Sequence, residues 1–140
     1  MTDVALIGLP YDAQSSFLRG PADGPATLRQ ALASTSANGC AESGRDVLAL
    51  QGERWIDLGD VHITDDAPQT ALAEIRAAVA DARSSNSRVL ALGGDHIVTW
   101  PLVEAVRPTV DRLTILHFDA HPYLYDELDG NRYSHACPFA

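Results

Sequence analysis

Cysteine, positive charge and long apolar runs are all scarce in this chain of 140 residues. Cys40 and Cys137 are its only cysteines, which excludes a disulfide framework and favours a reducing compartment, so we expect a cytoplasmic protein. No apolar run approaches the roughly 20 residues that a membrane helix needs, and no membrane partner is predicted. The first residues carry no basic region ahead of the apolar run that starts at Val4, so no signal peptide is expected.

Acidic residues outnumber basic ones by 19 to 10, and the net charge is −9. Nucleic-acid binding requires a basic surface that neutralises phosphates, so no nucleic-acid partner is predicted. An acidic field concentrates cations, which is compatible with a cationic small ligand, although solubility alone also accounts for the charge. The length and the apolar content of 46% fit one globular domain with a sizeable core.

Short apolar runs alternate with helical patterns along the chain, and loops rich in Gly, Pro and small polar residues separate them. Buried strands are predicted at residues 4–10, 55–61, 89–92 and 113–118. Helices are predicted at residues 26–33, 68–83 and 97–106, and the polar run at residues 84–87 is expected to end the second one. Alternating strands and helices predict an α/β fold with a parallel sheet and right-handed crossovers.

Two of the predicted strands end in carboxylates and imidazoles. Residues 93–96 read Gly-Gly-Asp-His, and residues 119–121 read Asp-Ala-His. Ligands of open α/β sheets bind beyond the carboxyl ends of parallel strands, and Asp and His side chains hold divalent transition metals. Asp119 and His121 are two residues apart and share one face of a strand, while Asp95 is placed to cap a following helix. These segments predict a metal site at one edge of the sheet.

The two segments resemble the ureohydrolase family, which includes arginases, agmatinases and formimidoylglutamases. The similarity extends to residues 16–25, to the strand at residues 56–60, and to residues 133–139, which are similar to the agmatinase-like branch in particular. It implies an arginase-like three-layer α/β/α sandwich with a mostly parallel sheet, incomplete in this chain. Residues 1–140 would then be the N-terminal part of a single ureohydrolase-like domain.

The resemblance also implies an activity and a set of site residues. Two Mn²⁺ ions share a bridging hydroxide that attacks a guanidino compound, a linear amidine such as agmatine, and releases urea and an amine. His96 and His121 correspond to terminal ligands of the two ions, and Asp119 corresponds to a bridging carboxylate. His135 corresponds to a histidine that transfers protons near the leaving amine. The implied partners are a small guanidino substrate and either further copies of the chain, as a homo-oligomer, or a second chain that completes the domain.

The family pattern Asp-Ala-His-x-Asp is broken at Tyr123, where a bulky phenol stands in place of a metal-binding carboxylate. A phenol has a pKa of about 10, so it is a poor ligand, and its ring is large enough to fill the space of a second ion. Asp126 is a candidate substitute ligand. His62 and His117 correspond to no ligand and are expected to be structural.

A later Asp-x-Asp segment that the family uses for metal binding is absent from this sequence. We therefore expect the chain alone to be inactive or impaired as a hydrolase. Three interpretations are open: a fragment of a longer enzyme, a subunit completed by a second polypeptide, or a degenerate relative. The alternative functions are a non-catalytic subunit that acts through assembly, a hydrolase of a formimino compound, and a zinc deacetylase of similar fold.

Overall fold

The computed structural model describes residues 3–85 and 88–140. Strands and helices alternate in the described chain, which confirms the predicted α/β class. The strands and α-helices are β1 (Val4–Leu9), α1 (Gly24–Leu32), β2 (Trp55–Asp60), α2 (Pro68–Ser85), β3 (Arg88–Gly93) and α3 (Thr99–Val106). Short 3₁₀ helices occur at Pro21–Asp23, Leu48–Leu50, His96–Val98 and Arg107–Thr109.

The strands form a parallel sheet in the order β2-β1-β3. β1 pairs with β3 without interruption, from Val4 opposite Arg88 to Leu9 opposite Gly93. Its pairing with β2 is irregular near Gly8, which lies opposite Asp60. Because β1 is central and covered on both faces, five of its six residues are buried, and this explains its continuous apolar run. The carboxyl ends of all three strands meet at one edge of the sheet.

Helices cover both faces of this sheet, as the predicted three-layer architecture requires. Side chains from α2 and from the α3 region pack on the face that carries Ile7 and Leu9. α1 lies on the opposite face, where Gly8 approaches Pro25 and Arg29 pairs with Asp57. The main core contains Ile7, Leu9, Tyr11, Ala71, Leu72, Ile75, Val79, Ile97, Val98 and Ala105.

The helices begin and end within a few residues of the predicted positions. α1 starts two residues early, at Gly24, because Pro25 is well tolerated in a first helical turn. α2 buries the predicted face and continues through Ser85, while residues 86 and 87 of the predicted polar stop lie outside the described residues. Within the described ranges, no helix is long and apolar enough to cross a membrane.

The predicted strand at residues 113–118 is wrong, because this segment pairs with no strand in the described part of the chain. A strand is stabilised by hydrogen bonds to a neighbour, and apolar alternation alone supplies none. The exposed fraction is 79% for Leu116 and 88% for Phe118, so their side chains are not packed against the core either. The sheet therefore has three strands in the described residues instead of the four predicted.

Candidate metal centre

A tight turn after β3 brings the Gly-Gly-Asp-His segment against the end of β1. The amide of Gly94 donates to the carbonyl of Leu9, and the amide of Asp95 donates to the carbonyl of Tyr11, both at 2.9 Å. A Cβ atom on Gly94 would lie 2.0 Å from the carbonyl oxygen of Tyr11, so only glycine fits this close approach. The turn thereby fixes where His96 leaves the sheet.

Asp95 is buried and caps the 3₁₀ helix that begins at His96, as the sequence predicts. Its carboxylate accepts a hydrogen bond from the amide of Ile97 at 3.1 Å and another from the hydroxyl of Ser15 at 3.0 Å. Burial raises the pKa of Asp95, and these two hydrogen bonds only partly oppose that rise. These hydrogen bonds let Asp95 orient the segment that carries His96.

His96 presents one ring nitrogen without a partner. Its Nδ1 lies 3.0 Å from the hydroxyl of Thr99, whereas its Nε2 is buried and has no hydrogen-bond partner in the described part of the chain. Burial, with a smaller effect from nearby His117, lowers the pKa of His96 and favours the neutral ring. When Nδ1 donates to Thr99, Nε2 carries a lone pair, which is the form of imidazole that binds a metal ion.

Donor atoms from His96, His117 and Asp119 all lie within 4.8 Å of one another. Divalent transition metals lie about 2.0–2.2 Å from nitrogen and oxygen ligands, so movements on the order of an ångström would let all three converge on one ion. His117 and Asp119 are both exposed, although the ring of His117 also contacts those of His96, Tyr123 and Phe139. His117 was expected to be structural, although it lies two residues before Asp119 on the same face of the predicted strand.

His121, predicted as a ligand, lies beside Asp119 but outside this group of three. Its Nδ1 is 3.6 Å from a carboxylate oxygen of Asp119, and its side chain is 72% exposed. The backbone amide of His121 donates to the same carboxylate at 3.0 Å, and this bond is the main cause that lowers the pKa of Asp119. Asp119 is therefore ionised at neutral pH and available to a cation.

Tyr123 lies among the histidines of the candidate centre. Its ring centroid is 4.2 Å from that of His96, 5.9 Å from His117 and 5.7 Å from His121. The hydroxyl of Tyr123 lies 3.4 Å from Nδ1 of His121. Asp126, the candidate substitute ligand, instead lines a different cavity with Trp100, Glu127, Arg132, Cys137 and Ala140.

A cavity of about 440 Å³ opens next to Tyr123. His121 and His135 both line it, so the predicted proton-transfer residue and a predicted ligand face the same space. His135 is half-buried, and its Nδ1 lies 3.5 Å from the hydroxyl of Ser134. A cavity of this size accommodates a small organic molecule.

The sequence profile of the arginase family matches residues 2–140 of this chain. The chain belongs to the arginase family. It is 38% identical to Arginase 1, mitochondrial, of Arabidopsis thaliana, over 97% of this chain and 41% of that protein. It is 37% identical to N(1)-aminopropylagmatine ureohydrolase of Thermus thermophilus, over 97% of this chain and 45% of that protein. The solved arginase from Medicago truncatula has a TM-score of 0.85 and 34% identity, over 99% of this chain and 45% of that chain.

This chain thus spans less than half the length of these arginase-family relatives. The match confirms the resemblance to ureohydrolases that the two polar segments indicated. It also confirms the arginase-like fold and its incompleteness here, because the structure superposes on part of a longer chain.

Asp12 is a further buried carboxylate near the centre that sequence reasoning missed. It accepts hydrogen bonds from the amides of Gly20 and Ala22 at 2.6 and 3.1 Å and from Nε of Arg19 at 2.9 Å. Burial raises the pKa of Asp12, but these hydrogen bonds outweigh it and lower the pKa overall. Asp12 thus holds the loop whose Ser15 contacts Asp95, and its signal was an Asp soon after the end of a buried strand.

Proposed function

We propose that this chain forms part of a Mn²⁺-dependent ureohydrolase that cleaves a guanidino compound such as agmatine into urea and an amine. The observation that carries the proposal concerns His96, whose buried Nε2 has no partner in the described residues and whose ring shares a group of donor atoms with His117 and Asp119. A buried polar atom normally finds a hydrogen bond, and a metal ion would satisfy this one.

The residues present fit a divalent ion. Neutral imidazole and ionised carboxylate are ligands that Mn²⁺ and its neighbours in the first transition series accept. His96 and Asp119 would hold the ion, while His121, the third predicted ligand, lies next to Asp119. When bound, such an ion lowers the pKa of water so that hydroxide is available near neutral pH.

The cavity beside the centre supports a small cationic substrate. His135 and His121 line it, and an imidazole can hold a proton and pass it to a departing amine near neutral pH. The net charge of −9 favours the approach of a guanidinium cation over that of an anion. The name of the Thermus relative, an aminopropylagmatine ureohydrolase, supports a substrate of this class.

We propose further that residues 1–140 are the N-terminal part of one domain, which a longer chain or a second chain completes, and that the protein forms a homo-oligomer. The support is that relatives align with nearly all of this chain over less than half of their own length.

We propose the cytoplasm as the compartment of this protein, because its two free cysteines, Cys40 and Cys137, fit a reducing environment.

A degenerate, non-catalytic subunit is the second candidate function. The observation that favours it is the ring of Tyr123, which packs against His96 inside the candidate centre. Such a chain would keep the fold for assembly and bind metal weakly or not at all.

Mn²⁺ binding to the 140-residue chain tests the proposal against this alternative. We expect isothermal titration to show binding that His96→Ala weakens by at least about tenfold, because a direct ligand is lost. His62→Ala is the matched control, since His62 is an exposed histidine that lines a separate cavity beside α2, and it should leave binding unchanged. Absence of Mn²⁺ binding, or equal binding by the His96 variant, would contradict the proposal.

A further inference from the structure

The ring of Tyr123 occupies the space between His96 and His121. It meets the ring of His96 edge-on, with an interplanar angle of 86° and a centroid distance of 4.2 Å, and it meets that of His121 at 70° and 5.7 Å. At these separations the ring of Tyr123 is in van der Waals contact with both imidazoles, and its atoms take up the volume that an ion between them would need.

The backbone holds this ring in place at an energetic cost. Tyr123 has a φ of 52°, in the left-handed region that bulky residues rarely adopt. Its hydroxyl lies 3.4 Å from Nδ1 of His121, so the far end of the ring also contacts a predicted ligand. A strained conformation that persists among candidate ligands indicates a specific position for the side chain.

His96 and His117 lie beside each other, and the ring of Phe139 contacts both at centroid distances of 5.5 and 5.0 Å. His117 stacks beside His96 with ring centroids 5.4 Å apart and an interplanar angle of 27°, and the two histidines share the group of donor atoms with Asp119. Two imidazoles and one carboxylate make three ligands, which leaves a divalent ion further positions for water or substrate.

We propose that the centre of this chain holds one divalent ion, on His96, His117 and Asp119, and that the ring of Tyr123 excludes a second ion from the space beside His121. This inference rests on the proposed function, because it assumes that the centre binds metal. It assigns His117 as a ligand and Tyr123 as the residue that sets the number of ions.

The test is the Mn²⁺ content of the 140-residue chain after loading and desalting, measured by atomic emission, together with its EPR spectrum. We expect one ion per native chain and the spectrum of isolated Mn²⁺. Tyr123→Phe keeps the ring and should still hold one ion. Tyr123→Asp removes the ring, supplies a carboxylate and suits a positive φ, so it should hold two ions with an exchange-coupled spectrum.

His117→Asn tests the ligand assignment, and His62→Asn is its matched control. We expect His117→Asn to lower the affinity for Mn²⁺ by at least about tenfold and His62→Asn to leave it unchanged. Circular dichroism of each variant establishes that it is folded.

The outcomes separate the two proposals. Two ions in the native chain or in Tyr123→Phe, one ion in Tyr123→Asp, or full affinity in His117→Asn would each overturn this inference while the metal centre itself stands. No Mn²⁺ in any variant would overturn the proposed function and the inference together.

Discussion

Gly94, the first residue after β3, lies directly against the backbone of Tyr11, which follows β1. We expect Gly94→Ala to destabilise the fold by about 1–3 kcal/mol, the usual range for overpacking, because its Cβ would meet backbone atoms of Tyr11 that cannot rotate away. Urea unfolding followed by circular dichroism measures the change.

Gly93→Ala is the matched control for that experiment. A Cβ on Gly93 would lie 3.3 Å from a methyl group of Val98, and a flexible side chain can give by a few tenths of an ångström. We therefore expect a smaller loss from Gly93→Ala. Equal losses in the two variants would contradict a special role for the close approach at Gly94.

For individual residues, the sequence predicted local roles better than contacts with more distant residues. Asp95 was predicted as a helix cap because capping is local and depends on the next few residues. The contacts of His117 and Asp12 were not predicted because they involve groups beyond the next few residues. The group is His96 for the first, and Arg19 with the Gly20 and Ala22 amides, 7 to 10 residues away, for the second. The sequence positions of both residues carry a signal, but only three-dimensional proximity identifies their partners.

At the scale of elements, Arg29 ties α1 to β2 across one face of the sheet. Its Nε and second terminal nitrogen donate to both carboxylate oxygens of Asp57 at 2.7 and 2.8 Å, and its remaining terminal nitrogen contacts Asp60. The hydrogen bonds from Arg29 lower the pKa of Asp57, with burial opposing them. Bidentate charge-assisted pairs of this kind are among the stronger side-chain contacts.

This pair predicts a pH-dependent effect of Asp57→Asn. A carboxylate with a lowered folded-state pKa stabilises the fold above its unfolded pKa of about 4, and this contribution is lost as pH falls through the folded value. We expect the variant to be about 1.5–3 kcal/mol less stable than the native chain at pH 7, and the difference to shrink below pH 4. Urea unfolding at several pH values measures it.

Asp81→Asn serves as the control for that series, because Asp81 is an exposed carboxyl on α2. It should change stability little at any pH. A difference between Asp57→Asn and the native chain that stays constant down to pH 3 would show that the carboxylate charge contributes nothing through Arg29.

Helices and strands were predicted correctly where the local sequence pattern decides the structure, and incorrectly where a distant strand partner decides it. The three strands and three helices follow from the periodicity of apolar residues and from Gly, Pro and Ser residues that end them. Each was predicted to within a few residues. Residues 113–118 carry an equally good strand pattern, yet a strand also needs a partner with free hydrogen-bonding groups. No pattern within a segment can tell whether that partner is present.

At the scale of the whole molecule, large apolar side chains remain exposed while the net charge is high. Phe17, Leu116 and Phe118 are 89%, 79% and 88% exposed, and Leu90 of β3 is 55% exposed. Apolar surface of this extent favours association, whereas a net charge of −9 opposes it through repulsion that salt screens. The state of assembly therefore depends on the balance of these two terms.

We expect the 140-residue chain to associate more strongly as ionic strength rises from about 0.01 to 0.5 M, because the Debye length falls well below the size of the molecule while apolar attraction persists. Sedimentation velocity measures the shift.

The double variant Leu116→Ser/Phe118→Ser should weaken association at high salt, since two large apolar side chains are removed from one exposed segment. Val47→Ser, the control, should change association little because a single half-exposed side chain is lost. Association that weakens with salt would show that charge pairing, and not apolar contact, joins the chains.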